Sequence, residues 1–216
     1  MNIIYDTAHK TEVITKHLIP ALGCLTDIEG KKITELLNRC RLHHVRKYDI
    51  LESPGPRNEG YLWFSIKAMS HHYFYNREKD CKSGTRIWNK RDFIFDDTSL
   101  LEGTARRDTL EILEDDEVIS ISYADLDYLM EEYQDINTAI RKLSIKHVAY
   151  FQHKGFLMSL SPFQRVKIFI EENQCFTFCA TQEIQAMHVN LTRRGFIKIL
   201  SKIKESSLER SFEVDL

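Results

Sequence analysis

No run of apolar residues in this 216-residue chain approaches the roughly 18 that a membrane-crossing helix needs. The opening MNIIYDTAHKTEV carries neither a basic stretch nor an apolar one, so neither a membrane nor a secretory leader is expected. Proline and glycine are few, at 4 and 8, and no low-complexity segment or internal repeat interrupts a composition that is 43% hydrophobic. A proper core can form, in one large domain or two modest ones. An excess of either charge is lacking too: 30 Lys and Arg stand against 32 Asp and Glu, a formal net charge of −2. Such a chain is no polycation, and any contact with nucleic acid must come from a local patch. The five cysteines, at 24, 40, 81, 175 and 179, are odd in number and scattered. That argues against a disulfide framework and for reduced thiols in the cytosol.

Catalytic constellations are missing as well. No Ser-His-Asp set, Gly-rich phosphate loop or paired-carboxylate motif stands out, so no catalytic residue is assigned and an enzyme is not expected. His43-His44 and His71-His72 are adjacent pairs in strand-like segments. Neighbours on a strand point to opposite faces, so each pair offers one ligand per face and no metal site is expected. Cys175 and Cys179 bracket Phe176 and Phe178 in a linker, NQCFTFCA, whose apolar neighbours read as burying both thiols.

What is present comes in a definite order. Ala8 to Leu22 carries Val13, Ile14, Leu18, Ile19 and Leu22 at helical spacing and ends at Gly23. Asp27 is placed to cap a second helix with Ile33, Leu36 and Leu37 on its apolar face. From Arg41 the texture becomes β-rich. Segments around 42–51, 61–66, 71–76, 85–89, 92–95, 108–113 and 117–122 are separated by turn signals, including SPGPRNEG at 53–60 and REKDCKSG at 77–84. Closely spaced strands without βαβ alternation read as a sandwich or rolled barrel. Tyr123 to Tyr133 then reads as a short helix, with Leu126, Leu129 and Met130 on one face.

The next stretch, Asp135 to Leu157, reads as one long helix. Ile136, Ile140, Leu143, His147, Tyr150 and Leu157 recur at alternating spacings of four and three, interrupted once by Lys154. This is the narrow seam of a helix that packs on a partner. An ordinary helix buried against its own domain gives a similar stripe, and periodicity alone leaves both readings open. Ser161-Pro162 fits a cap followed by proline at the first helical position, with Val166, Phe169 and Ile170 facing inward and an end near Glu172.

Thr181 to His188 and Thr192 to Lys204 read as two helices broken at Val189-Asn190-Leu191. Two helices joined by so tight a turn need a small residue at their crossing, a residue tolerant of positive φ in the turn, and apolar anchors on the second helix. Ala186, Asn190, Phe196 and Ile199 supply them, and Thr192 can cap the second helix. Residues 181–204 hold five Lys and Arg (193, 194, 198, 202, 204) against Glu183 alone, a local +4. Cations so grouped can displace counterions from a phosphate backbone. SLERSFEVDL closes the chain and is expected as a small strand or wing.

The order of helical lead-in, β-rich domain, seam helix and helix-turn-helix resembles the Crp/Fnr family of bacterial transcription regulators over most of the chain. EDDEVISISYADLDYLM at 114–130 is similar to the last strand and following helix of the cyclic-nucleotide-binding β-roll. AMHVNLTRRGFIKIL at 186–200 is similar to the family's helix-turn-helix. The resemblance implies an α+β fold. A double-stranded β-helix, or jelly-roll-like β-roll, would form a sensor domain over 1–134, followed by a connecting and dimerisation helix over 135–157 and a winged helix-turn-helix over 158–216. It also implies a homodimer zipped at Ile136, Ile140, Leu143, His147 and Tyr150. Double-stranded DNA would be met by Thr192, Arg193, Arg194, Lys198 and Lys202, and an unknown small-molecule effector would bind in the roll.

Two departures from the family pattern matter. Members that bind cyclic AMP use a Gly-Glu-Leu turn and an Arg ten residues after its Glu. Here the turn reads Phe95-Asp96-Asp97, with Arg106 and Arg107 following, so Asp96, Asp97, Arg106 and Arg107 are the candidate pocket residues. Phe95 obstructs the close backbone approach for which the glycine is used. Nine acidic residues in 96–117 surround the Arg pair, a field that opposes an anion. No cofactor is expected, and a cyclic nucleotide, another small ligand or a ligand-free roll all stay open. In the second helix of the motif, Gly195, Ile197 and Lys198 replace residues that hold phosphate or read guanine in relatives. Lys lacks the bidentate fork of Arg, so a degenerate member acting as a ligand-binding or protein-interaction module is the alternative.

Overall fold

The computed structural model describes residues 1–23, 30–78 and 80–213, with side chains to Ser206. Asp27, read as a helix cap, lies outside the described residues. The chain opens with a two-residue strand β1 (Asn2–Ile3) and helix α1 (Thr7–Val13), capped by the Asp6 carboxylate, which accepts from the amides of Ala8 and His9. A π-helical turn, Ile14–Leu18, and α2 (Ile19–Leu22) continue it to Gly23, at φ 63°. The widened turn falls just before Pro20, which has no N–H to carry an α ladder. Helix α3 (Gly30–Arg39) follows.

The strands are β2 (Arg41–Val45), β3 (Ile50–Glu52), β4 (Tyr61–Ser65), β5 (Ser70–Asn76), β6 (Cys81–Trp88) and β7 (Phe93–Ile94). After helix α4 (Asp97–Glu102) come β8 (Thr109–Ile112) and β9 (Asp116–Ser122). They form two sheets, ordered β1-β2-β9-β4-β7 and β3-β8-β5-β6. The pairings β1–β2, β2–β9, β3–β8, β4–β7 and β4–β9 are antiparallel, with Leu42 opposite Ile119, Leu62 opposite Ile121 and Phe64 opposite Ile119. This is the expected roll. Strand β9 is covered on both faces: Ile119 and Ile121 join a core shared with the helices, while Val118 joins a second core with Trp63, Trp88, Leu110 and Ile112. The buried Asp116 at its start accepts from three backbone amides, Ile66, Lys67 and Ala68, at 2.8, 2.8 and 3.0 Å, which meets the requirement that a buried carboxylate be hydrogen-bonded.

Helix α5 (Tyr123–Glu132) starts on the Ser122 cap, and α6 (Gln134–Ser159) is the long helix, 26 residues. Then come α7 (Pro162–Glu172), α8 (Gln174–Cys179), α9 (Gln182–His188) and α10 (Arg193–Glu213). Two compact units result, one of residues 1–72 and 88–149, the other of 73–87 and 150–216. The outer part of the β5–β6 hairpin thus groups with the C-terminal helices, which the order of elements along the chain did not foretell. In the second unit α10 packs on α7 and α9 around Val166, Phe169, Phe176, Ala186, Val189 and Phe196, all buried.

Two expectations are corrected. The segment read as a strand or wing is helical through Glu213 as the end of α10, and no strand follows β9 among the described residues. The linker at 173–180 is largely a helix, α8. It buries Phe176 but leaves Cys175 exposed and Cys179 half-buried, so the thiols are not core groups. No helix among the described residues is long and apolar enough to cross a membrane.

Candidate functional site

The helix-turn-helix is built by local rules. Thr181 caps α9, its hydroxyl accepting from the Ile184 amide at 3.3 Å. Asn190 takes φ 54° in the turn, a conformation that Asn tolerates better than most residues. The Ala186 carbonyl accepts from the amides of Val189 and Leu191 at 3.2 and 3.0 Å. Thr192 caps α10 through the Gly195 amide at 3.1 Å, and Phe196 is fully buried beneath it. From α7, Arg165 donates to the carbonyls of Val189 and Leu160 at 2.9 and 3.1 Å, fixing the turn from outside. Thr192, Arg193, Arg194, Lys198 and Lys202 are all exposed. Arg194, Lys198 and Lys202 succeed one another at intervals of four on one helical face, and the exposed Ile197 stands beside Lys198.

In the same unit the β5–β6 hairpin meets this motif. Gly84 lies against the imidazole of His188 in α9. The ammonium of Lys154, on α6, donates to the carbonyls of Gly84 and Thr85, the latter at 2.9 Å. The Tyr150 hydroxyl accepts from the Ile87 amide at 3.0 Å, and the Arg86 guanidinium lies over the Tyr150 ring, 5.0 Å from its centroid. Lys154 interrupts the apolar seam because it holds the hairpin backbone. A charge set into an apolar stripe was the signal in the sequence, and Gly84 and His188 gave none.

The stripe proposed as a dimer seam is the helix's inward face. Ile136 and Ile140 are buried in the core of the first unit with Leu143 packed against it. His147 Nδ1 lies 2.7 Å from an Asp97 carboxylate oxygen, between the rings of Trp88 and Phe95 at 4.9 and 4.7 Å, and Tyr150 is held by the hairpin. Within the chain Ile136, Ile140 and His147 are buried, and Leu143 and Tyr150 are half-buried. The opposite side of α6 presents Ile145, Val148 and Phe156, which are 69%, 54% and 56% exposed.

In the roll, the four candidate pocket residues do not converge as an open anion site. Asp96 caps α4, accepting from the Ser99 amide and the Thr98 hydroxyl, both at 2.9 Å, and Asp97 is the partner of His147. Arg106 is buried and lies 3.2 Å from the equally buried Glu52, with the Pro56 carbonyl 3.4 Å from its Nε and Nη2. Arg107 is exposed. Burial pushes the Glu52 carboxyl above its ordinary range, against the pull of Arg106. The sequence reading missed Glu52, which lies 54 positions from Arg106 and carries no motif of its own. A cleft of about 630 Å³ beside α6 is lined by Leu22, Asp135, Lys142 and Lys146 among others, and by none of the four candidates. No group of three or more metal-binding side chains occurs among the described residues.

A jelly roll, a long helix and a helix-turn-helix in this order are the fold of the Crp/Fnr regulators. No protein-family model and no curated protein sequence matches the chain, but solved structures do. It is similar to the c-di-GMP responsive global regulator CLP of Xanthomonas campestris, at TM-score 0.67 and 17% identity over 83% of this chain and 94% of that one. FixK2 of Bradyrhizobium japonicum matches at 0.67 and 12% identity, covering 78% of this chain and 86% of the other. A putative Crp/Fnr transcriptional regulator of Eubacterium rectale matches at 0.71 and 12%, over 87% and 88%. At such identities the likeness is one of fold.

Proposed function

We propose that this chain is a DNA-binding transcription regulator of the Crp/Fnr type. The observation that carries the reading is the capped helix-turn-helix, whose second helix exposes Thr192, Arg193, Arg194, Lys198 and Lys202 above a buried Phe196. Laid in the major groove, such a helix meets phosphates with its first turn and base edges along its outer face. Ile197 is placed to contact a thymine methyl and Lys198 a guanine edge. The protein acts as a homodimer, as two half-sites on a duplex require, with the second copy packed on the Ile145, Val148 and Phe156 face of α6. Its effector is unknown and is not a cyclic nucleotide read at Asp96 and Arg106, because the Glu52 pair already satisfies that guanidinium. The alternative, a ligand-binding or protein-interaction module without specific DNA binding, draws support from Gly195 and Lys198, which give fewer fixed contacts than a Ser or Arg there. Selection of duplexes from a random pool by the purified protein tests the reading. Enrichment of a two-fold symmetric sequence supports it, and no enrichment at low salt rejects it.

A further inference from the structure

We propose that Cys175 and Cys179 form a dithiol site for trivalent arsenicals. The two cysteines lie four residues apart on α8, a spacing that stacks side chains on one helical face with Cβ atoms about 5–6 Å apart. The helix spends Phe176 on the core and leaves Cys175 exposed. Cys179 is half-buried, its Sγ 3.4 Å from the Phe176 carbonyl oxygen. Cys40 is the contrast: it is buried, and burial pushes its thiol up to about 12, so it offers no reactive thiolate. Cys81 is exposed on β6.

The chemistry needs no oxidant. An arsonous acid, RAs(OH)2, takes two thiols to give RAs(SR′)2 and two waters; two As–S bonds form and two As–O bonds break. The thiol protons leave with the hydroxyls, and arsenic stays trivalent. Once one sulfur is bound, the second adds within the same molecule, so that a pair on one helical turn outcompetes any single thiol.

The position ties the site to the reader. The buried Gln185 side chain of α9 donates to the Thr177 and Ala180 carbonyls at 3.0 and 2.8 Å, gripping the last turn of α8. A ring closed across Cys175 and Cys179 acts on the segment that Gln185 holds. The site itself stands without the DNA reading, whereas an effect on DNA affinity rests on it.

The test is titration of the full chain with phenylarsonous acid, followed by intact-mass spectrometry and iodoacetamide footprinting. The expected result is one adduct per chain that shields Cys175 and Cys179 from alkylation and is removed by excess ethanedithiol. It persists in C81S and C24S and weakens on the order of a hundredfold in C175S and in C179S. No adduct at micromolar arsenical, or one that survives C175S and C179S unchanged, overturns the site. A circular-dichroism melt on each serine variant separates loss of thiol from loss of fold. Gel shifts then address the coupling: an arsenical-dependent change in DNA affinity that C175S abolishes supports it, and an adduct that leaves affinity unchanged overturns the coupling alone.

Discussion

Gly84 and His188 approach so closely that a Cβ at position 84 would stand 2.6 Å from Cγ and Nδ1 of the imidazole. A non-glycine residue there must displace either the hairpin or α9, and overpacking of this kind costs about 1–3 kcal/mol. Gly84→Ala is expected to lower stability by that amount and to weaken DNA binding beyond what the unfolded fraction explains, since α9 carries the turn that sets α10. Adding His188→Ala is expected to recover much of the stability, and a double-mutant cycle by denaturant melts with parallel gel shifts measures both effects.

The Arg106–Glu52 pair gives a second prediction. Both side chains are buried, at 5% and 8% exposure, and removing one partner of such a pair costs ~3–5 kcal/mol because the other charge is stranded. Arg106→Met is expected to lose stability on that scale, less where Glu52, already raised by burial, takes up a proton. Millimolar cyclic AMP is expected to leave the melting temperature of the wild type unchanged, whereas a nucleotide-dependent rise would show that the pair opens to a ligand.

His43 supplies a pH dependence with a definite sign. Burial holds its imidazole down to about 4, against 6.5 for the ordinary residue, while its Nε2 lies 2.8 Å from the Ser120 hydroxyl. Between those values the unfolded chain binds the extra proton, so stability falls as pH drops from about 6.5 towards 4 and is unaffected by this group above 6.5. The full effect is about 3 kcal/mol. Urea melts at neutral and acid pH should show a shallower acid loss in His43→Gln than in the wild type, and parallel profiles would count against the assignment.

The two faces of α6 should separate cleanly. Ile140→Ala removes a fully buried side chain and is expected to cost ~2–5 kcal/mol without changing the mass in solution. Val148→Glu sits on the exposed face and is expected to leave the melt nearly unchanged while light scattering reports a monomer.

Much of this fold is legible in the sequence because local rules govern it. The β-rich run, the proline-led α7, the Asn190 turn and the Thr192 cap follow from residue chemistry at short range. The stripe on α6 was also legible, but periodicity says only that a face is buried and not what buries it, and the chain's own roll claims Ile136, Ile140 and His147. The partners of Arg106 and Lys154 escaped for another reason. Glu52 and the carbonyls of Gly84 and Thr85 lie far away along the chain, and a backbone acceptor leaves no trace in a sequence. At SLERSFE no Pro or Gly stops the helix, so α10 runs on where a small strand or wing was expected.

The central claim is that α10 reads DNA sequence. Its most direct test compares, at physiological salt, the affinity of the protein for its selected site with that for random duplex, in the wild type and in Lys198→Ala. The expected ratio for the wild type is on the order of a thousandfold or more. Lys198→Ala should cut that ratio and, if it also touches phosphate, lower the salt slope by about one. A ratio near one in the wild type, with affinity governed by salt alone, would contradict the claim.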